Sequence, residues 1–392
     1  MICPFCSLLC DAENLDAIQC DRRTASLVRY EALRSKKGDL IEDWWKEAVP
    51  LLRAAKRILV MGRIASVESA RAVVAFASKH NATIDCAESG HVFKNVLAIQ
   101  RSGLNSVSLA EARDHSDFFI VIGDDSMMAA VPRMPFALSN GRPGQQTVLL
   151  LGDFSIAATE RWKKVGFDTW SVPCELASIP SSLAQWSRWS DSTESKPSHE
   201  ASPTNQLFER MATARYTTVV WSAETLQIEQ ADLWVERMLQ WIAVRNEKTR
   251  CAALLWTSLD GTFQQVCTWL TGFPGRIAFR EGVPEYDPNR NSYEQWIART
   301  PIDKAHESVI VLIDESVAPA PFWHPQSMPV SDLCQVIVLS RQSDKFPTAI
   351  AGVEVSANMF RADQTLLANV SPTRQLGPRT KPVSGWLEAL SQ

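Results

Sequence analysis

The chain has 392 residues, 45% of them hydrophobic, and a formal net charge of -4. Its length exceeds what one core ordinarily holds, so two or three domains are expected. With Lys and Arg scattered and no basic stripe, nucleic acid is not an expected partner. The longest apolar runs, such as Val148–Leu151 and Val309–Ile313, are strand-length and exclude a helical membrane span.

The opening stretch MICPFCSLLCDAENLDAIQC places Cys3, Cys6, Cys10 and Cys20 close together. No basic n-region and apolar core precede them, so nothing here resembles a secretory signal. A cytoplasmic setting is therefore expected. Thiols stay reduced there, which favours ligands over disulfides. Leu40 to Ala55 reads as a helix with Trp44, Trp45, Val49 and Leu52 inward. Ile58–Met61 is a short strand ending at Gly62, and Ser66 is the expected N-cap of a helix carrying Val67, Ala70, Val74 and Ala77 at helical spacing.

Further strands are expected at Thr83–Cys86, Phe118–Ile122 and Val148–Leu151, with helical patterns between most of them. Such alternation implies a parallel sheet covered on both faces. Ligands of these sheets bind beyond the carboxyl ends of the strands. Gly123, Asp124 and Asp125, with Gly152 and Asp153, are therefore the candidate crevice, although each alone also suits an ordinary turn. Neither a G-x-G-x-x-G fingerprint nor a P-loop lysine motif occurs.

Ser187–Thr204 is rich in Ser, Pro and charge and reads as a linker. Thr217–Trp221 restarts a strand, Ile228, Ala231, Val235, Met238 and Ile242 mark one helix face, and Cys251–Trp256, Val309–Ile313 and Val336–Leu339 continue the alternation. The expected division is a cysteine segment over 1–30, α/β domains over 31–190 and 207–347 joined by a linker at 191–206, and a small cap of β character over 348–392.

Four clustered cysteines suit a four-iron cluster better than a zinc ion, since structural zinc usually takes two paired knuckles; free or buried thiols are the alternative. Cys86, Cys174, Cys251, Cys267 and Cys334 sit in apolar contexts and read as core, with Cys86 alone placed at a strand end with Glu88 and His91 close behind. The six histidines show no ligand-spaced pair, and no G-x-S-x-G elbow is present, so no self-contained hydrolytic site is expected. Fourteen Trp against four Tyr imply either core filling or large partner interfaces. Leu255–Pro288 reads as a strand and a short helix flanked by ordered loops.

That stretch, with Gln265-Val266-Cys267-Thr268-Trp269, Thr271-Gly272-Phe273-Pro274 and Gly282-Val283-Pro284-Glu285-Tyr286-Asp287-Pro288, resembles the B subunit of formylmethanofuran dehydrogenase, in particular its bacterial form in the formyltransferase/hydrolase complex. Cys-Pro-Phe-Cys-Ser-Leu-Leu-Cys-Asp at 3–11, Phe118–Asp125 with Pro132-Arg133, and Gly352–Asp363 with Glu354 and Arg361 agree in order. The resemblance implies a molybdopterin-oxidoreductase-like (formate dehydrogenase-like) fold of nested α/β domains. It implies Cys3, Cys6, Cys10 and Cys20 as ligands of a [4Fe-4S] cluster, and Gly123, Asp124, Asp125, Thr271 and Gly272 as pterin-facing loops.

Three departures stand out. The interval from Cys10 to Cys20 is short for the fourth ligand of this fold. After the strand ending at Cys86 the chain reads Ala87-Glu88-Ser89-Gly90-His91, without the Cys-His pair that holds the metal in redox-active relatives. Ala357-Asn358 stands where relatives have Gly-Thr. The resemblance thus implies a structural subunit, its molybdopterin or tungstopterin lost, alongside amidohydrolase-like, formyltransferase and C-type subunits in tetrahydromethanopterin-linked one-carbon oxidation. The alternatives are a redox-active molybdenum or tungsten subunit with its cluster, and a stand-alone α/β protein holding zinc.

Overall fold

The computed structural model describes residues 20–26, 28, 44–64, 67–86, 89–191, 209–256, 262–301, 307–314, 334–340, 349–353 and 383–391. Twelve strands are present among them. In chain order these are β1 (Arg57–Arg63), β2 (Thr83–Ile84), β3 (Phe118–Asp124), β4 (Thr147–Asp153), β5 (Asp168–Val172) and β6 (Tyr216–Ser222). They are followed by β7 (Arg250–Trp256), β8 (Ile277–Arg280), β9 (Val283–Tyr286), β10 (Ser308–Asp314), β11 (Gln335–Ser340) and β12 (Ala349–Val353). The helices that matter below are α1 (Trp44–Ala54), α2 (Val67–His80), α3 (Ser89–Ser102), α4 (Leu109–His115), α5 (Asp125–Ala130), α6 (Met134–Leu138), α7 (Ile156–Lys164), α8 (Ile179–Asp191), α9 (Ala231–Asn246), α10 (Thr262–Thr271), α11 (Tyr293–Ala298) and α12 (Val383–Leu390).

The strands form two sheets in two compact units, one made of 1–90 with 259–392 and the other of 91–258. This partition differs from the serial division expected at 191–206. Strand pairing is the reason: β1 lies in register beside β10, Arg57 opposite Ser308, so the first unit closes only when the chain returns after the second is complete. Of the 348–392 segment, Ala349–Val353 forms β12 and extends the first sheet beside β11.

The first unit's sheet runs β12-β11-β10-β1-β2-β8-β9, parallel as far as β2 and then antiparallel through the β8–β9 hairpin. Its central strands are continuous apolar runs because both faces are covered. Ile58, Val60, Val309, Val311 and Ile337 pack with Phe76 and Phe263 on one side; Leu59, Met61, Ile310, Leu312 and Val338 pack with Trp296 and Ile297 on the other. α2 buries Val67, Ala70, Val74 and Ala77, an i, i+3, i+7 stripe, with Glu68 in its first turn and Lys79 and His80 in its last, where the helix dipole favours them. α10 and α12 pack against it.

The second unit is a five-stranded parallel sheet in the order β5-β4-β3-β6-β7. Ile120, Ile122, Leu149, Leu151 and Val219 pack with Trp221, Trp234 and Trp241 on one face. On the other, Trp162 and Phe167 meet edge to face at 5.1 Å, and Phe167 meets Phe119 at 5.7 Å, the geometry that ring quadrupoles prefer. Most described tryptophans fill cores, and three of the buried indoles find hydrogen-bond partners: Trp234 donates to the Leu176 carbonyl at 2.7 Å, Trp241 to that of Leu183 at 3.2 Å and Trp221 to Asn95 at 3.1 Å.

Several elements differ in extent from the expectations. The second strand covers only Thr83–Ile84, and α9 starts at Ala231, after Ile228, while residues 40–43 of the first expected helix lie outside the described residues. The 255–288 stretch holds a hairpin and not only loops, because Glu281 and Gly282 both take positive φ, 52° and 79°. That is the geometry of a two-residue turn matched to strand twist. Ser66, Glu88 and the linker residues 192–204 lie outside the described residues. No helix among the described residues is long and apolar enough to cross a membrane.

Candidate functional site

In a doubly wound parallel sheet the crevice lies where strand order reverses. In the second unit that point falls between β3 and β6, since β4 and β5 continue on one side of β3 and β7 lies beyond β6. Gly123, Asp124 and Asp125 stand at the carboxyl end of β3; Ser222, Ala223, Glu224 and Thr225 stand at that of β6. β4 ends alongside with Gly152 and Asp153.

Close backbone approach governs this edge. Gly152 has φ +128°, and a Cβ there would lie 2.0 Å from the Gly123 carbonyl oxygen. The carboxylates are committed locally. Asp124 caps α5, accepting from the Ser126 backbone N–H at 2.9 Å and its hydroxyl at 2.5 Å, while Asp125 accepts from the Ser155 N–H at 3.0 Å. Glu224, buried, accepts from the Ser222 hydroxyl at 3.3 Å, and Thr225 donates to the Ser222 carbonyl at 3.0 Å. Cys174 follows β5, and burial pushes its thiol up against the opposing effect of a Gly152 backbone hydrogen bond.

At the start of α3, Lys94 donates to the Leu226 carbonyl at 2.5 Å, directly after the β6 turn, and lies 3.5 Å from His91 Nδ1. Burial holds both groups below their usual ranges, and the Lys94 charge adds to the effect on His91. The composition of this edge suits hydrogen bonding but does not suit a phosphate-bearing pterin. Three carboxylates, at 124, 125 and 153, cluster at the strand ends, and the helix N-terminus that would take an anion already holds that of Asp124.

In the first unit the reversal falls between β1 and β10. Arg63, the last residue of β1, meets Asp314, the last of β10, through Nε–Oδ1 and Nη2–Oδ2 bonds of 2.9 Å each, both side chains buried. This two-pronged pair occupies the strand ends where a ligand would otherwise sit. Beside it, buried Asp85 accepts from the Cys86 N–H at 2.9 Å and the Tyr293 N–H at 2.8 Å, with Arg276 Nε at 3.8 Å. Cys86 is 5% exposed, and Gln264 Nε2 lies 3.2 Å from its sulfur.

Thr271 and Gly272 end α10 in the first unit, whereas Gly123–Asp125 belong to the second. The Thr271 hydroxyl donates to the Cys267 carbonyl at 2.7 Å, and Gly272 closes the helix by donating to the Thr268 carbonyl at 2.8 Å. Cys20 is half-buried and opens a short helix over 21–26; Cys3, Cys6 and Cys10 lie outside the described residues. Among the described residues no group of three or more His, Cys, Asp or Glu side chains is arranged to hold a metal ion. Arg63, Asp314, Lys94 and Glu224 belong to no sequence motif and are missed by one. The readable signal is position: Arg63 and Asp314 each close a buried apolar run.

No family model matches the chain. The B subunit of tungsten-containing formylmethanofuran dehydrogenase 2 from Methanococcus maripaludis is 22% identical over 93% of this chain and 91% of its own length. The chain is homologous to the B subunit of formylmethanofuran dehydrogenase. The B subunit of the formyltransferase/hydrolase complex of Methylorubrum extorquens is 25% identical over 66% of this chain and 69% of its own. The fold matches a chain of the crystal structure of the formyltransferase/hydrolase complex FhcABCD from Methylorubrum extorquens with methylofuran, at a TM-score of 0.66 and 19% identity, covering 91% of this chain and 96% of that one. The family resemblance read from Cys3–Asp11, Phe118–Asp125 and Leu255–Pro288 thus extends along almost the whole chain.

Proposed function

We propose that this chain is the B subunit of a formyltransferase/hydrolase complex of the formylmethanofuran dehydrogenase type, working in tetrahydromethanopterin-linked one-carbon oxidation as a structural subunit without redox catalysis of its own. The observation that carries the reading is the end-to-end likeness: B subunits match in sequence along most of their length, and a chain of the FhcABCD assembly matches in fold over 96% of its length. The expected partners are amidohydrolase-like, formyltransferase and C-type subunits, in the cytoplasm.

Loss of the pterin is supported by side-chain chemistry. The Arg63–Asp314 pair fills one strand-end crevice, and the Asp124, Asp125 and Asp153 carboxylates oppose a phosphate at the other. Cys3, Cys6, Cys10 and Cys20 would hold a [4Fe-4S] cluster, which when bound supplies one-electron transfer. The second reading, a redox-active molybdenum or tungsten subunit, is favoured by Cys86 at the carboxyl end of β2. Against it, Gln264 already contacts that thiol and no Cys-His pair follows.

The test is purification of the intact complex through a tag on this chain, without oxygen. Formate should be released from a formyl-carrier substrate with no electron acceptor, and neither molybdenum nor tungsten should be present in stoichiometric amount. Acceptor-dependent turnover with bound metal would establish the second reading, and a tagged chain that comes from its native host without any other subunit would remove both.

A further inference from the structure

The first unit carries a groove of about 940 Å³ at the opposite edge of its sheet, beside the amino ends of β1 and β2. It exists because β2 has only two residues, pairing with Leu59 and Val60, so among the described residues no strand lies beside Arg57 and Ile58 at the start of β1 on that side. The β8–β9 hairpin forms one wall and α11 with its flanking turns the other.

The lining is basic although the chain as a whole is acidic. Arg57, Arg290 and Arg299 contribute three guanidinium groups, and none of them makes an ion pair among the described residues. Lys56 and Arg280 also face the groove but are neutralised, at 2.7 Å by Glu307 and at 2.6 Å by Glu285. Glu281 is the remaining acidic lining residue. Arg57 is held in place. It stacks 4.5 Å over the Trp296 ring and donates to the Trp296 carbonyl at 2.9 Å, the Arg299 carbonyl at 3.1 Å and the Thr300 hydroxyl at 2.8 Å, a cation held against a ring face and three acceptors. Arg299 is braced in turn by donating to the Gln295 and Arg290 carbonyls. Fork donors fixed before binding lose little freedom when a carboxylate arrives.

We infer that this groove is a docking site for an acidic polypeptide segment of a partner protein, lying between the β8–β9 hairpin and α11 with its carboxylates on Arg57, Arg290 and Arg299. Charge complementarity selects an anion. A polypeptide is favoured over a small anion because the volume lies at the upper end of small-molecule sites. In addition Val283, 62% exposed on the groove wall, offers an apolar contact that an inorganic anion cannot use. The inference goes beyond the assignment above and does not need it, since binding is read on this chain alone.

The experiment is fluorescence anisotropy of a fluorescein-labelled decapeptide rich in Asp and Glu, with interspersed Leu, titrated with the purified full chain at low salt. The expected result is saturable binding that weakens as salt rises, and that falls at least tenfold when Arg290→Glu and Arg299→Glu are combined. Circular dichroism and thermal unfolding check that the double variant is folded; if it is not, Arg290→Gln alone, at an exposed position, should weaken binding by a smaller but measurable factor. A charge control at a residue that does not line the groove, Lys248→Glu, should leave binding unchanged. Absence of binding, equal binding by the variants, or full displacement by inorganic phosphate at the same charge concentration would each overturn the proposal, the last in favour of a small-anion site.

Discussion

At the residue scale, burial decides what the polar groups at the strand ends can do. Carboxylates that look available in sequence, such as Asp124 and Asp125, spend their lone pairs on Ser126 and Ser155, and a guanidinium that looks like a surface charge, Arg63, is buried against Asp314. His91 gives a pH dependence with a definite sign. Burial, and then the Lys94 charge, hold it below its unfolded value of 6.5. Just below that pH the unfolded chain therefore binds more protons than the folded one. A stability loss sets in as pH falls through 6.5 and is complete below the lowered folded value. Denaturant midpoints between pH 7.5 and pH 5 should fall more steeply for the wild type than for His91→Gln, and parallel curves would contradict this.

At the scale of elements, the parallel strands are held at their carboxyl ends by glycines that no other residue can replace without moving backbone. Gly152→Ala would place a methyl group 2.0 Å from the Gly123 carbonyl oxygen at φ +128°. Strain and displacement of the β3–β4 ends should then cost about 2 kcal/mol or more. Gly103 stands at φ +73° with nothing within 4 Å of where a methyl group would lie. Gly103→Ala meets only the left-handed penalty and should cost about 1 kcal/mol. Urea denaturation of the two variants measures the difference. The long buried strands and the faces of α2 and α9 were readable because continuous apolar runs and helical spacing are local signals. β5 and β9 were not: Asp168–Val172 has no apolar run and is only half-buried, and Pro284 made 282–288 look like a turn when the positive φ of Glu281 and Gly282 in fact reverses the chain into a strand.

At the scale of the whole molecule, the second unit is continuous in sequence while the first is assembled from two segments. All five strands β3 to β7 pair only with one another in sheet ladders, and their core is their own. The fragment 91–258 should therefore fold alone and unfold cooperatively, as followed by far-ultraviolet circular dichroism and tryptophan fluorescence. A fragment without a cooperative transition would show that the first unit is needed to complete its core.

By itself the sequence determined the α/β class, the buried strands, the position of Gly123–Asp125 at the carboxyl end of a strand and the family resemblance, because each of these is written in neighbouring residues. Only the tertiary structure decided which strands are neighbours, and through them the site. Arg63 and Asp314 come from segments on either side of the second unit, and nothing local to either residue announces the other. The same holds for the basic groove, whose arginines come from β1, from the turn before α11 and from the residue that ends it. Pairing between distant strands is set by the collective burial of their apolar faces, a property of the folded chain and of no single stretch within it.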